Sequence, residues 1–263
     1  MAIQSVQRAL SILGLFTHPR PRWGISEIAQ ATGLAKATTQ NIVNTLLSAG
    51  FLSRDGETRR YRLGAKLFTL GAVMGTSLEI NQKAAGPAYQ LASASGLVCR
   101  VAIWDEDAAL ITLNITPPYD HFLARQIGPR VVAYCTALGR ALLAHLPPAT
   151  VARYLDQTPL VAFTPQTVTD RSAILAILDQ TRRQGYAIND QELAIGQSNV
   201  AAPIFQQGGT LAGALSLTGS NEKVMGGQMD TIVANLRRTA AEISSFMGYF
   251  PSAPENNRAC CQT

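Results

Sequence analysis

Residues 25–47 constrain the fold more than any other stretch, because ISEIAQATGLAKATTQNIVNTLL has the spacing of two short helices joined by a glycine turn. Ser26 is a favourable N-cap for the first helix, and Gly33 stands where that helix needs a left-handed C-terminal residue. Apolar residues then recur at helical intervals to the end of the stretch. The small Ala29 lets two helices cross at a steep angle. The stretch therefore predicts a helix-turn-helix.

The second predicted helix has an outer face of amide, hydroxyl and amino groups, the side-chain types that bind phosphates and base edges in a DNA major groove. The polar residues predicted to contact DNA are Lys36, Thr38, Thr39, Gln40, Asn41 and Asn44. An ordinary antiparallel helix pair inside a core has the same spacing, so this stretch alone favours neither interpretation.

A basic hairpin after the predicted recognition helix favours the DNA-binding interpretation. Residues 51–54 and 59–63 alternate with period two around Asp55-Gly56, a dipeptide typical of tight hairpin turns. The hairpin arginines predicted to contact DNA are Arg54, Arg59 and Arg60. A helix pair buried in a core gives no reason for these arginines, so we predict a winged helix-turn-helix.

The charge distribution indicates a polyanionic partner. The chain has 263 residues, enough for two domains, and a formal net charge of +5. Residues 1–75 hold nine Lys or Arg and three Asp or Glu, a net charge of +6, whereas the rest of the chain has a net charge of −1. All the excess positive charge lies in the same segment as the predicted recognition motif. A DNA partner is the simplest explanation of this distribution.

Several classes of protein are disfavoured by the sequence. No charged-then-apolar leader follows Met1, and no apolar run approaches the roughly 18 residues of a membrane span. The four cysteines lack metal-ligand spacing. We therefore expect reduced thiols in a cytoplasmic protein without membrane contact, a metal site or a cofactor.

The remaining chain mixes helical and strand patterns. Helices are predicted at residues 3–16, 65–79, 81–95, 136–146, 149–157, 170–184 and 226–247. Strands are predicted at residues 98–104, 110–115, 121–126, 199–205 and 210–217, with another opening at Gly185. Hairpins mixed with helices indicate an α+β fold with an antiparallel sheet. The predicted domains are a winged helix-turn-helix at 1–64, a linker helix at 65–80 and a second domain at 81–250, before a disordered tail at 251–263.

The first helix and the linker helix have more apolar residues than a small winged domain can bury. These residues are Val6, Leu10, Leu13, Leu67, Leu70, Val73 and Met74. Exposed apolar patches usually mark an interface, and a two-fold operator requires two recognition helices about one DNA turn apart. We therefore expect a homodimer.

Eight short motifs occur in order along the chain. They are Arg8-Ala9-Leu10 with Ile12-Leu13, Glu27-Ile28-Ala29, Gly33-Leu34-Ala35-Lys36, Tyr61-Arg62-Leu63-Gly64, Gly139-Arg140-Ala141-Leu142-Leu143-Ala144, Gly185-Tyr186, Ala201-Ala202-Pro203, and GALSLTG from Gly213 to Gly219. With these motifs, roughly residues 3–248 resemble the IclR family of bacterial transcriptional regulators. The resemblance implies a winged helix-turn-helix, a linker helix and an effector domain of GAF-like or profilin-like fold. It also implies dimers, often paired into tetramers. In the recognition helix Ala37, Thr39 and Asn41 depart from the family pattern, so operator preference does not transfer.

The resemblance also implies an effector site at one end of the sheet in the second domain. The effector-binding residues that it implies are Leu123, Ala137, Leu138, Asn189, Gln197, Asn199, Ser216 and Thr218. Family members often carry acids at the positions of Asn189 and Gln191, where this chain has amides. Because fewer negative groups favour an anionic ligand, a carboxylate or aromatic acid is the expected effector. Alternatively, Ser216 and Thr218 are ordinary strand residues satisfied by the backbone.

Two other functions are compatible with the second domain. Cys135, His145 and Glu192 could supply the nucleophile, base and acid of an enzyme. On one continuous helix Cys135 and His145 would lie about 15 Å apart, which disfavours that interpretation, so we predict no enzymatic activity. The second domain could instead serve only for oligomerisation. Ligand-binding and turnover assays distinguish these functions.

Overall fold

The computed structural model describes residues 2–117 and 129–251, and the chain divides into two compact units, Met1–Ser77 and Leu78–Thr263. The predicted strand at 121–126 and nearly all of the predicted tail lie outside the described residues. The helices of the first unit are α1 (Gln4–Gly14), α2 (Ile25–Thr32), α3 (Lys36–Ser48) and α4 (Ala65–Ser77). Its strands, which form an antiparallel hairpin, are β1 (Leu52–Arg54) and β2 (Tyr61–Leu63).

The first unit is a winged helix-turn-helix around a small apolar core. The buried core side chains are Ile12, Trp23, Ile28, Val43, Leu46, Leu52 and Tyr61. Gly33 ends α2 in the left-handed conformation, with a φ of 68°, as the sequence predicted. The predicted N-cap was wrong, because α2 is capped at Gly24 and not at Ser26. The Glu27 carboxylate reaches back from the third helical position and accepts the Gly24 amide at 2.6 Å.

The second unit contains, within the described residues, a six-stranded antiparallel sheet with the strand order β5-β4-β3-β8-β7-β6. The strands are β3 (Val98–Asp105), β4 (Ala108–Ile115), β5 (Arg130–Val131), β6 (Ala187–Asp190), β7 (Gln197–Phe205) and β8 (Leu211–Ser220). The helices are α5 (Glu79–Ser95), α6 (Ala137–Leu143), α7 (Pro148–Gln157), α8 (Arg171–Gln184), α9 (Asn221–Met225) and α10 (Met229–Phe246). The predicted α+β fold is confirmed, although α9 and the early end of α6 were not predicted. None of the described helices is both long and apolar enough to cross a membrane.

The sheet of the second unit has an apolar layer on each face. Helices α5 and α10 pack on one face, where they share a core with Leu215 and Leu217 of β8. Helix α6 packs on the other face, together with Ala214 of the same strand. Because successive strand residues point to opposite faces, Ser216 and Thr218 lie on the α6 side. Helices α7 and α8 contribute to a third cluster, which includes the end of α6.

Helix α6 begins at a close backbone contact. A Cβ atom on Gly139 would lie 2.1 Å from the Cα atom of Ala133, so only glycine fits at this position. The Thr136 hydroxyl caps the helix by accepting the Gly139 amide at 3.2 Å. These contacts fix the backbone of the first turn of α6.

Candidate nucleic-acid interface and ligand cavity

The outer face of α3 presents a row of polar side chains. Lys36, Asn41 and Asn44 are exposed, and Thr38 and Gln40 are half-buried. The Gln40 side-chain amide donates to Asn44 Oδ1 at 2.9 Å, which aligns two amide groups one helical turn apart. Amide and ammonium groups on an exposed helix face can contact base edges and phosphates in a major groove.

Thr39 does not belong to this face, which corrects its predicted contact with DNA. Its side chain is 0 % exposed, and its hydroxyl donates to the Ala35 carbonyl at 3.1 Å. Val43, four residues later, is also buried. Helical spacing therefore places both side chains on the inner face of α3, where neither can reach a nucleic acid.

The three predicted arginines of the wing have different surroundings. Arg54 and Arg59 are exposed. Arg60 is half-buried, and its Nη2 donates to Glu27 Oε2 at 2.6 Å, so it links the wing to the first turn of α2. Arg20 pairs with the other oxygen of the same carboxylate at 3.1 Å. This link was not predicted, because its two ends are distant in sequence and neither motif requires the other.

Glu27 is held in its ionised form. The hydrogen bond from the Gly24 amide, followed by that from Arg60, lowers the pKa of the carboxyl group below its ordinary value. Its negative charge also lies in the first turn of α2, where the helix dipole favours an anion. The link between the wing and α2 therefore persists at neutral pH.

A small cavity lies in the second unit, on the α6 side of the sheet. Its volume is about 20 Å³, enough for about one water molecule. Its lining residues are Arg100, Ile111, Val131, Thr136, Leu138, Leu193, Asn199, Ser216 and Thr218. The lining residues that had been predicted to bind a ligand are Leu138, Asn199, Ser216 and Thr218.

Asn189 is not part of this lining, which corrects its predicted contact with a ligand. It is fully buried, and its Nδ2 donates to the Cys135 carbonyl. Its Oδ1 accepts the Glu192 amide at 3.0 Å. The Asn189 amide is therefore occupied in holding the loop after β6 against the segment before α6.

Two more of the predicted ligand residues, Ala137 and Gln197, are not among the described lining residues. Ala137, the first residue of α6, is buried, and its backbone amide donates to Asn199 Oδ1 at 3.0 Å, so it orients a lining residue. Gln197 is half-buried at the start of β7. Leu123 lies outside the described residues.

The cavity contains a charged residue that was not predicted. Arg100 of β3 is 7 % exposed, and its Nε donates to Asn114 Oδ1 at 2.8 Å. Its Nη1 donates to Thr218 Oγ1 at 3.4 Å. Burial lowers the pKa of the guanidinium below its ordinary value, because it disfavours the charged form. Arg100 stands opposite Ser216 in the antiparallel register, so both side chains lie on the cavity side of the sheet.

The Ser216 hydroxyl is buried without a hydrogen-bond partner. Within residues 2–117 and 129–251 it is the only buried side-chain polar atom in this situation. Buried polar groups are nearly always paired, so this hydroxyl requires a ligand atom or a water molecule. The finding disfavours the alternative that Ser216 is an ordinary strand residue satisfied by the backbone.

The surroundings of Cys135, His145 and Glu192 disfavour the alternative that they form a catalytic group. Burial raises the pKa of the Cys135 thiol to about 12, so the thiol is not poised as a nucleophile. His145 Nδ1 lies 3.0 Å from the Ala141 carbonyl oxygen, and the Glu192 carboxylate binds Arg140. Across the described part of the chain, no three metal-ligating side chains come together either.

Two family profiles match the chain. Residues 73–245 match the profile "Bacterial transcriptional regulator IclR C-terminal", and residues 5–56 match "IclR helix-turn-helix domain". The HTH-type transcriptional regulator XynR of Escherichia coli K12 is 32% identical over 247 residues, which cover 94% of this chain and 98% of that protein.

Solved structures agree with these matches. The crystal structure of an IclR transcriptional regulator from Alicyclobacillus acidocaldarius has a TM-score of 0.81 at 30% identity, covering 94% of this chain and 100% of that one. An IclR homologue from Microbacterium hydrocarbonoxydans, complexed with 4-hydroxybenzoate, has a TM-score of 0.80 at 22% identity and covers 93% and 99% of the two chains. The second likeness concerns the fold alone.

Proposed function

The chain belongs to the IclR family of bacterial transcriptional regulators, and we propose that an organic acid bound in its second unit controls how tightly its first unit binds operator DNA. DNA binding is common to the family, whereas the ligand and its control of affinity are our proposal. The observation that supports it best is the unpartnered Ser216 hydroxyl in the cavity that Arg100 also lines.

We assign the DNA contacts to the exposed and half-buried polar side chains of α3 and to the wing. These residues are Lys36, Thr38, Gln40, Asn41, Asn44, Arg54 and Arg59. Arg60 is assigned to the link with Glu27, through which it orients the wing. Because phosphate contacts release counterions, affinity should fall steeply as salt is added.

Selection of genomic fragments tests the DNA-binding part. The full chain should enrich a two-fold or repeated site, and a variant lacking residues 1–64 should enrich none. Enrichment that survives the deletion would show that the first unit is not the DNA-binding unit.

We also propose that two copies of the chain associate through α1 and α4. Phe68 of α4 is 83 % exposed, and other large apolar side chains of the two helices are exposed as well. These side chains are Val6, Leu10, Leu70, Val73 and Met74, and Ile3 at the N-cap of α1 is exposed too. Such patches usually mark an interface. In sedimentation, the wild type should be dimeric and Phe68→Glu should dissociate more readily; a monomeric wild type at micromolar concentration contradicts the proposal.

The size of the cavity favours a second candidate function, in which the second unit only holds copies of the chain together. A volume of about 20 Å³ is far below the roughly 300–1,000 Å³ of ordinary ligand pockets. Ligand binding therefore requires lining side chains such as Leu138 and Leu193 to move.

Thermal unfolding with organic acids separates the two functions. The bound compound of the Microbacterium structure, 4-hydroxybenzoate, is a suitable first probe. A ligand-controlled regulator should be stabilised by an acid that also changes its operator affinity, by about 5–150-fold if the coupling is in the usual range of about 1–3 kcal/mol. A second unit that only oligomerises should show neither effect.

A further inference from the structure

We infer that Arg100 determines which ligand the cavity accepts, by forming an ion pair with the single carboxylate of a small, otherwise uncharged molecule. The inference rests on the proposed function, since it requires that the cavity binds a ligand. It makes the organic acid proposed above more specific in three ways. Arg100 determines which ligand binds, the ligand carries a single negative charge, and the ligand is small.

Arg100 is a buried cation that has no carboxylate partner within residues 2–117 and 129–251. Its hydrogen bonds go to Asn114 Oδ1 and, at 3.4 Å, to Thr218 Oγ1, and both of these groups are neutral. None of the ion pairs within the described residues involves Arg100. Burying a charge without a counter-ion is costly, so such a group usually has a partner when the protein is functional.

A second buried arginine in the same unit shows complete pairing. Arg140 is 2 % exposed, and its two terminal nitrogens donate to the two oxygens of Glu192. It also donates to the Tyr134 and Ile188 carbonyls, at 2.8 and 3.0 Å. The fold thus provides Arg140 with a carboxylate from its own chain. Arg100, which is also buried, has no such acid among the described residues and is available to a carboxylate from outside.

Neutral donors surround the place where that carboxylate would bind. The Ser216 hydroxyl lacks a partner and stands opposite Arg100 in the sheet register. Asn199 Oδ1 accepts the Ala137 amide, which leaves the amino group of Asn199 as a donor at the cavity. The Thr218 hydroxyl accepts from Arg100 and can donate in turn. Together with the guanidinium, these groups suit the several acceptor sites of one carboxylate.

The rest of the lining limits the ligand to one charge and a short apolar body. Arg100 is the only charged residue of the described lining, and four of its neighbours there are aliphatic. A second carboxylate would therefore be buried without a cation. The volume of about 20 Å³ favours compact acids, because each added carbon requires further movement of the aliphatic side chains.

The test compares carboxylates with their neutral amides, using the full chain. The monocarboxylates are acetate, butyrate, benzoate and 4-hydroxybenzoate, each with its amide, and the competing anions are succinate and inorganic phosphate. Affinities come from calorimetry and stabilities from thermal unfolding. The variants are Arg100→Gln, Arg100→Lys and the control Arg153→Gln, which removes the same charge from an exposed position on α7.

The wild type should bind at least one monocarboxylate, and its amide at least about tenfold more weakly. Arg100→Gln should bind that acid about 10- to 100-fold more weakly and the amide no worse, because only the charged interaction is lost. A merely structural role would weaken both compounds together. Arg100→Lys keeps the positive charge and should keep the preference for the acid over its amide. This variant provides the test if Arg100→Gln does not fold. Arg153→Gln should match the wild type.

The inference fails if Arg100→Gln keeps the wild-type preference for the acid, or if no monocarboxylate binds the wild type. It also fails if an amide, succinate or phosphate binds the wild type more tightly than every monocarboxylate. A neutral compound that binds and shifts operator affinity would preserve ligand control of DNA binding, but it would remove the organic acid as the effector and the role of Arg100. An acid that binds through Arg100 without changing operator affinity would contradict the proposed function alone.

Discussion

Replacing Glu192 by alanine should destabilise the second unit by about 3–5 kcal/mol, because the variant leaves the Arg140 guanidinium buried without its charge partner. Both side chains are buried, so the guanidinium is shielded from bulk water. The same change removes the acceptor of the Val168 amide, a hydrogen bond of 3.0 Å. The expected loss is a large fraction of the stability of an ordinary domain.

A double variant tests the physical reason for this loss. Arg140→Met combined with Glu192→Leu should recover part of the free energy of unfolding, since no uncompensated charge then remains. The recovery should be incomplete, because the Tyr134 and Ile188 carbonyls lose the donor that Arg140 provides.

Urea unfolding measures these free energies. The chain has two tryptophans, so in a Trp23→Phe background the fluorescence of Trp104, whose ring lies edge-on to Tyr154, reports the second unit. Glu222→Ala, which removes an exposed acid of α9, is the control and should change the free energy of unfolding by less than about 0.5 kcal/mol. A loss below about 1 kcal/mol in Glu192→Ala would show that Arg140 is effectively solvated and would refute the reasoning.

Three further outcomes are expected. Lys36→Ala should weaken binding to every DNA sequence, whereas Asn41→Ala should change the preferred site. Fluorescence anisotropy with operator and random duplexes separates a uniform loss of affinity from a change in preference. Thr39→Val removes a buried hydroxyl from the inner face of α3, so it should cost about 1 kcal/mol in thermal unfolding and leave DNA affinity almost unchanged; a selective loss of DNA affinity would contradict its burial. Burial raises the pKa of the Cys135 thiol to about 12, so the thiolate is scarce at neutral pH. Mass spectrometry should therefore find Cys135 alkylated by iodoacetamide only after unfolding. Rapid modification of the native protein would contradict this expectation.

Local signals in the sequence were sufficient to predict the architecture of the first unit. Helical spacing and the conformational freedom of Gly33 specify the helix-turn-helix without reference to distant residues. The errors there have local causes as well. A search for a capping hydroxyl selected Ser26, whereas the cap of α2 combines Gly24, which has no side chain, with Glu27 from inside the helix. Thr39 was predicted to contact DNA, although its spacing places it on the inner face of α3.

The ligand cavity was less predictable, because its lining comes from distant parts of the chain. Strand alternation was enough to place Ser216 and Thr218 on one face. Asn189 lies in the expected segment, but its side-chain amide is hydrogen-bonded to buried backbone groups. No sequence pattern reveals these contacts. Arg100 did leave a signal, a single charge at an inward position of the apolar strand β3. Its significance depends on the absence of a partner among the described residues, which only the structure shows.

The small cavity is also what can connect ligand binding to a change in DNA affinity. A ligand that binds two conformations equally well does not change the equilibrium between them, however tightly it binds. Since about 20 Å³ does not accommodate an organic acid, the liganded and ligand-free proteins must differ in the positions of the lining residues. Strand β3 has Arg100 on its cavity side, while Val101 on its other side lies in the same core as Ala84 of α5.

Helix α5 begins two residues after α4 ends, and so directly follows the DNA-binding unit in sequence. A rearrangement at Arg100 acts on a packed strand, and the interior of a protein is too dense for such a strand to move without its neighbours. The ligand needs to favour one arrangement of β3 and α5 by only about 1–3 kcal/mol to change operator affinity about 5–150-fold. The tight packing around Arg100 is therefore compatible with the proposed control of DNA binding as well as with a second unit that only oligomerises, and the thermal-unfolding experiment separates the two.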